Sequence, residues 1–513
     1  MGARIPNSFN LGVVIFVAVG SIACSYGMSV ISVAIGQDSF FAAFDLAGPG
    51  QPGYAHTSRI LSAMTGVNVA GSAVGALLAG WGCDALGRKT TLKIGAGVLA
   101  AGAALCAGSV ALSMFLVARC IAGIGVGVLI TVIPMYQAEV STPESRGLMV
   151  GMHGIMFGVG YSLAGWIGVG TYFYKDVDAT SSFTWRFPFA FQALPAVILC
   201  SGVYFLPSSP RWLLEQNRPQ EARTILERLY RSSEPDCLVQ MESQFAKMQT
   251  QLSRDRENRA KTSPFEIFST ASNRRRALVG AVVMFGNQLT GIYVNSSYGV
   301  LIYSALGFSD AWPLILSAIW VSCSIPGNIW AAVTVDRFGR VRLMLIGLVG
   351  TACTLLCECV LQALYLGTSN TAGQKAAVLF VFLSIFFWSF FIDAVQYVYL
   401  SEIFPTRIRS QGMAVGMVAY YAALVVILIA GPIALDSITW KFFIVLLVIT
   451  CAQTVLVFFL CPETKQMSLD DVDLAFQEPV AGSASHRKED NQDEVSQVQT
   501  QHVERVESPR LSV

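Results

Sequence analysis

Charge is what this sequence is short of. Asp, Glu, Lys and Arg make up 13% of 513 residues, and 54% are hydrophobic before 45 glycines are counted. A soluble domain carries about twice that charged share, so a secreted domain and a disordered chain are both excluded. Neither sign dominates: 34 basic and 33 acidic residues leave a net charge of +1, and nothing points to nucleic acid. Metal-ligand spacing is missing as well. Nearly all of the twelve cysteines fall in apolar runs, with Cys83, Cys237 and Cys461 on one side of the spans, and they read as small buried hydrophobes. The first apolar run, 11 to 35, has only Arg4 ahead of it and no small-residue cleavage pattern behind, so it reads as a membrane helix and not a signal peptide. The polar segments hold no grouping of nucleophile, base and orienting residue, so no enzyme is expected.

The charges that do exist are gathered. Residues 211–276 carry 13 basic and 9 acidic side chains and residues 462–513 carry 5 and 11, so 38 of 67 charges sit in about 118 residues. The remainder holds twelve apolar stretches near 11–35, 60–82, 92–112, 115–137, 148–172, 187–206, 277–303, 313–335, 343–366, 377–400, 411–433 and 441–461. The predicted organisation is a short N-terminus (1–10), a six-span half (11–206), a charged linker (207–276), a second six-span half (277–461) and a tail (462–513). Within the linker, 219–230 and 238–252 show helical spacing of apolar residues. The tail beyond about 475 is acidic and aperiodic and reads as disordered.

Positive charge orients the spans. Alternate connections hold Arg88, Lys89 and Lys93; Arg146; the linker; Arg337, Arg340 and Arg342; and Arg407 with Arg409. The opposite ones hold Arg59, Lys175, Arg186, Lys375 and Lys441. Cytoplasmic loops retain Lys and Arg, so both termini and the linker are expected in the cytoplasm.

The halves also repeat. Asp84-Ala-Leu-Gly87-Arg88 after span 2 returns as Asp336-Arg-Phe-Gly339-Arg340 after span 8, and Glu139 with Arg146 after span 4 returns as Glu402 with Arg409 after span 10. A duplicated six-span unit is the organisation of a transporter whose halves rock about a central site. Acids and arginines at these helix ends can form ion pairs weak enough to break in each cycle.

With these motifs the chain resembles the major facilitator superfamily and, within it, the sugar porter family in its fungal form. The carrying stretches are Asp84–Lys89 (DALGRK), Arg119–Gly127 (RCIAGIGVG), Glu139–Gly147 (EVSTPESRG), Pro207–Leu213 (PSSPRWL), Gln288–Gly291 (QLTG), Asp336–Arg340 (DRFGR), Ser401–Arg409 (SEIFPTRIR) and Pro462–Lys465 (PETK). The resemblance spans 11 to about 468. It implies an all-α membrane protein of twelve helices in two pseudo-symmetric halves that moves a sugar or polyol by alternating access. It further implies that Asp84, Arg88, Glu139, Arg146, Asp336, Arg340, Glu402, Arg409 and Glu463 form a salt-bridge network at the inner mouth. The substrate site is implied between spans 5, 7, 8, 10 and 11.

Departures from the family pattern sharpen the expectations. Ser208 stands where the linker motif has a Glu, so the first latch should lack a partner. In span 5 Gly154, beside His153, replaces a Gln. In span 7 Asn287 and Gln288 remain, but Tyr293 replaces an Asn. Ser324 aligns with the Asn of span 8, Asp393 and Tyr397 replace the Gly-Pro and Trp of span 10, and Tyr420 with Tyr421 aligns with an Asn-Trp pair of span 11. The expected binding residues are therefore His153, Gly154, Asn287, Gln288, Tyr293, Ser324, Asp393, Tyr397 and Tyr420. A sugar needs many hydrogen-bonding groups and an aromatic plate; here amides fall and tyrosines rise.

Proton-coupled members carry an Asp in span 1, where this chain has Ser25-Tyr26-Gly27-Met28, which favours facilitated diffusion over proton symport. Intramembrane His153, Glu358 and Asp393 are the candidates to carry a proton instead, because ionisable groups in a bilayer face a cavity or a partner. Arg119 reads equally as packing or gating, and Glu358 as structural. The expected activity is transport of a sugar or polyol at the plasma membrane, with lipid and the substrate as partners, a proton as the partner in the symport alternative, and no cofactor or metal. The alternatives are a non-sugar cargo (a sugar acid, cyclitol or exported metabolite) and a non-transporting sugar sensor.

Overall fold

In a bilayer every backbone N–H and C=O must be satisfied internally, which leaves helices or closed barrels. The computed structural model is of the first kind. It describes residues 8–48, 51–141, 146–174, 182–230, 237–259, 266–365, 370–405, 408–465, 467 and 476, and no strand occurs among them. Twelve helices are long and apolar enough to cross a membrane: Ser8–Ile35, Tyr54–Ala85, Arg88–Ala107, Leu112–Val140, Leu148–Phe173, Phe183–Phe205, Ala271–Ala305, Trp312–Phe338, Arg340–Tyr365, Ala372–Glu402, Arg409–Leu435 and Lys441–Leu460. These are spans 1 to 12. Apart from Phe476, the tail expected to be disordered after about 475 lies outside the described set.

Span 7 starts six residues earlier than hydropathy places it. Thr270 caps it by accepting from the Asn273 N–H (3.2 Å), and Arg274, Arg275 and Arg276 ride in its opening turns. A hydropathy window discards three arginines; the cap retains them. Between spans 6 and 7 lie helices Pro210–Glu215, Pro219–Tyr230 and Cys237–Arg259, joined by a small core of Leu213, Leu214 and Ala222 with Trp212, Phe245 and Leu252 packed on it.

Large apolar side chains such as Trp81, Phe205, Val448 and Phe458 face outward, as a lipid solvent allows. Cys353 and Cys451 lie on this exposed surface, against the expectation of burial, whereas Cys24, Cys83, Cys106, Cys359 and Cys461 are buried. A thiol costs little against lipid, so apolar context alone does not point it inward. Inside, spans 2 and 4 meet almost backbone to backbone. A Cβ at Gly123 or Gly127 would run into the Asn68 and Ser72 carbonyls, and one at Gly71 or Gly75 into those of Cys120 and Ile124. Small residues permit this approach.

Spans 1 to 5 are continuous helices, while three of the later ones are broken. Span 7 divides into Ala271–Gln288 and Ile292–Ala305 around Gly291, whose φ of 89° is the left-handed conformation that favours glycine. Span 8 interrupts at Cys323 and span 10 at Ile392. Broken membrane helices free backbone groups that only a partner or a water-filled cavity can satisfy.

Candidate functional site

Two assemblies at the linker end follow one plan. Gly87 (φ 85°) and Gly339 (φ 96°) turn the chain between consecutive spans, so that Arg88 and Arg340 open the next helix and reach back. Arg88 Nη2 meets Glu139 Oε1 at 2.8 Å, and its Nη1 donates to the Cys83 carbonyl (3.0 Å) with Asp84 at 4.0 Å. Arg340 meets Glu402 at 2.7 Å and Asp336 at 2.6 Å, and its Nη1 donates to the Val335 carbonyl (3.3 Å). In each half a tyrosine one helical turn before the glutamate holds the segment beyond: Tyr136 Oη donates to the Pro207 carbonyl (2.6 Å) and Tyr399 Oη to that of Pro462 (3.2 Å). The Tyr-x-x-Glu spacing, YQAE and YLSE, was visible in both halves but was not among the residues singled out.

The assemblies differ in their outer carboxylate. Glu463 accepts the N–H groups of Arg340, Val341 and Arg342 at 2.8, 3.1 and 3.3 Å, capping span 9. In the first half Ser208 offers no carboxylate, and Glu215 approaches instead, its Oε2 3.9 Å from Arg88. It comes from the short helix begun by Pro210, which swings its last residue back toward Arg88. Burial holds the Glu215 carboxyl above the usual range, against the downward pull of Arg88 and Arg211. Ser410 Oγ donates to Asp84 Oδ2 (3.0 Å), tying the halves together at this end. Arg409 opens span 11, half-buried. The Arg146 side chain lies outside the described set.

The breaks in spans 7 and 10 bring the expected binding residues together. Gln396, which the sequence reading missed, collects Asn287 Nδ2 (3.3 Å) and Gln288 Nε2 (3.0 Å) on its carbonyl oxygen, and Gln453 Nε2 holds Asn287 Oδ1 (3.2 Å). Its signal was the run Asp393-Ala-Val-Gln396-Tyr397, which places three polar side chains at i, i+3 and i+4 on one helical face. Tyr293 and Tyr420 share a hydroxyl hydrogen bond of 2.5 Å. Tyr397 lies between Tyr420 and His153, with ring centroids 6.4 and 5.4 Å away, and His153 Nδ1 is 2.8 Å from Ser21 Oγ.

Span 8 puts Ser324 in the wall of the pocket at Asp393 and adds a second side chain. The Ser324 hydroxyl bonds back to the Val321 carbonyl (2.7 Å), while Asn328, one turn on, donates to Asp393 Oδ2 (3.0 Å). Gly154 supplies room: a Cβ there would come within 3.1 Å of Ala394 and 3.3 Å of Asn328 Oδ1. The buried polar atoms in this cluster that lack a partner include Gln288 Oε1, Gln396 Nε2, Asn328 Oδ1, Tyr397 Oη and His153 Nε2. Elsewhere, Arg119 donates to the Gly27 carbonyl (3.1 Å), and fully buried Glu358 accepts from Gln362 (3.0 Å).

Three voids step down to this cluster from the end away from the linker. A vestibule of about 650 Å³ includes Asp38, Tyr54, Asp310, Gln362 and Trp440 in its wall. A throat of about 10 Å³ lined by Ser29, Ser32, Ser296 and Ser317 shares Val300 and Leu314 with the vestibule. It shares Ser296 and Val321 with a pocket of about 30 Å³ walled by Tyr161, Tyr293, Trp320, Trp388 and Asp393.

Six spans on either side of a linker, paired ion-pair assemblies at one end and a void entering from the other toward polar groups at helix breaks define a multi-pass membrane transporter, and no enzyme. The chain belongs to the sugar (and other) transporter family, whose family model matches residues 13–476. It is 30% identical to the MFS-type transporter criB of Aspergillus cristatus over 88% of this chain and 90% of that one. It is 26% identical to a high-affinity glucose transporter of Kluyveromyces lactis over 92% and 86%. The structure of the major facilitator proton:xylose symporter XylE bound to 6-bromo-6-deoxy-D-glucose superposes with a TM-score of 0.77, covering 92% of this chain and all of that one at 22% identity, which establishes the shared fold.

Proposed function

We infer that the protein carries a sugar or polyol-like molecule across the membrane by alternating access, binding it at the cluster of Asn287, Gln288, Tyr293, Asn328, Asp393, Gln396, Tyr397 and Tyr420. The observation that carries this is the set of unpartnered buried polar atoms at the helix breaks. Buried polar groups without partners cost about 1–3 kcal/mol each, and a hydroxyl-rich ligand is what would satisfy donors and acceptors mixed in this way. Relatives named as glucose transporter and xylose symporter support the same substrate class. In this reading Arg88–Glu139 and Arg340–Glu402 are latches that hold the linker end shut while the other end receives substrate. The distribution of Lys and Arg supports a cytoplasmic linker and termini, and the reading adopted is a carrier of the plasma membrane.

Facilitated diffusion is the favoured mode. Gly27 occupies the place of the proton-carrying Asp in span 1, and Arg119 donates to its backbone carbonyl. Uptake of labelled hexoses, pentoses, polyols and sugar acids into a transporter-null host, with and without a protonophore, tests both points. Saturable uptake of a sugar or polyol that survives the protonophore is expected. Collapse on protonophore addition would overturn facilitated diffusion, and no uptake of any sugar or polyol would overturn the substrate class.

A further inference from the structure

We propose that the pocket at Asp393 takes a protonated amine, so that the cargo is a polyhydroxylated amine such as an amino sugar or amino polyol. The proposal rests on the preceding reading of this cluster as the substrate site and adds the charge of what it binds. Asp393 is 9% exposed, and its contacts in the described residues are neutral: Asn328 on one oxygen and Trp388 beside it. No Lys, Arg or His forms an ion pair with it among the described residues. A carboxylate kept in the membrane interior without a basic partner has its counter-charge missing.

Three observations say what supplies that charge. First, the pocket is rich in aromatic rings. Tyr161, Tyr293, Trp320 and Trp388 wall it together with the carboxylate, beside Ile292, Ser296, Val321, Ser324 and Ile385, and aromatic rings around an acid are the chemistry that recognises an ammonium group. A bare proton would need the carboxylate but not the rings. Second, the volume fits a head group. About 30 Å³ holds one or two heavy atoms, not a sugar ring, and the serine-lined throat and the 650 Å³ vestibule continue from it. The amine therefore seats at the carboxylate, at the inner end of this route. Third, the route carries one sign of charge. Of the Asp, Glu, Lys, Arg and His residues, the described linings of all three voids contain Asp38, Asp310 and Asp393 alone. Such a lining concentrates cations and repels a sugar acid.

The test uses one six-carbon scaffold in three charge states: N-methylglucamine (+1), sorbitol (0) and gluconate (−1). The full chain in nanodiscs is titrated with each at pH 8.0 and pH 5.5, with tryptophan fluorescence as the readout because Trp320 and Trp388 wall the pocket; a Trp388→Phe variant identifies the signal. N-methylglucamine is expected to bind at least tenfold tighter than sorbitol, with gluconate weakest. That preference should fall to near unity in Asp393→Asn and persist in Asp393→Glu, a pair that separates loss of charge from loss of fold. Sorbitol binding as tightly as N-methylglucamine, or a preference that survives Asp393→Asn, overturns the amine while leaving the sugar site standing. Sorbitol binding that tightens tenfold at pH 5.5 without an amine preference assigns the charge to a proton and also overturns it. If none of the three compounds changes the Trp388 signal, the site reading itself fails.

Discussion

The two halves are built from the same motifs, yet they secure their linker-end arginines by different means. Arg88 has one short ionic contact, Glu139 at 2.8 Å, with Glu215 and Asp84 near the outer limit at 3.9 and 4.0 Å. Arg340 has two, Glu402 at 2.7 Å and Asp336 at 2.6 Å, while Glu463 spends its oxygens on backbone N–H groups. The first latch thus hangs on one buried pair, and the second is shared among several groups. Duplication preserved the geometry of turn, arginine and tyrosine, and the charge partners drifted around it.

Glu139→Ala and Glu402→Ala test that asymmetry with the largest effect expected. The side chains of Arg88 and Glu139 are 6% and 8% exposed, so deleting Glu139 strands a buried cation, at about 3 kcal/mol of the closed state. Deleting Glu402, 28% exposed, leaves Arg340 with Asp336 and costs about 1 kcal/mol. The chain carries its own reporters: Cys83, whose carbonyl Arg88 holds, and Cys461, beside the Tyr399–Pro462 contact, are both buried at this end. Maleimide labelling in single-cysteine backgrounds should accelerate far more at Cys83 in Glu139→Ala than at Cys461 in Glu402→Ala. Equal acceleration would show that the latches are equivalent after all.

The same contrast explains which parts were legible in the sequence. Span number, the internal repeat and the motif arginines are written locally, in hydropathy and in spacing along one helix. Span 7's early start was missed because three arginines hide a helix that Thr270 caps. Glu215 was missed because its approach to Arg88 depends on how a six-residue helix turns, which no motif encodes. In the central cluster Asn287, Gln288 and Tyr293 come together and Ser324 lines the Asp393 pocket, whereas Asn328, one turn beyond Ser324, and Gln396, one residue before Tyr397, stand outside the family pattern. Alignment to a family pattern finds positions; it does not find a side chain that takes over from the position next to it.

A smaller effect separates the outer carboxylates. Glu463→Ala removes the acceptor for three N–H groups at the start of span 9 and should lower stability by about 1 kcal/mol, as loss of a helix cap does. Glu215→Ala, whose ionic contacts to Arg88 and Arg211 are at 3.9 and 3.6 Å, should change it by less than half of that. Thermal unfolding of the two variants in the same nanodiscs compares them directly. A larger loss from Glu215→Ala would make Glu215 a full replacement for the missing carboxylate at Ser208.

The smallest effect is one of sign. Burial raises the Glu215 carboxyl and outweighs the pull of Arg88 and Arg211, so the folded, closed form takes up a proton on Glu215 more readily than an unfolded chain would. A group of this kind weakens the closed form while it is ionised. The closed form therefore gains stability as pH falls through the raised value, and the gain is complete below the ordinary glutamate range near about 4.3. Glu215→Gln mimics the protonated state and should be slightly more stable than the native chain at pH 7.5, by under about 1 kcal/mol, with the two converging on acidification. If the native chain were instead the more stable at pH 7.5 and lost that advantage in acid, the arginines would outweigh burial. Glu215 would then be a true ionic partner, and the two latches would differ only in where their second carboxylate comes from.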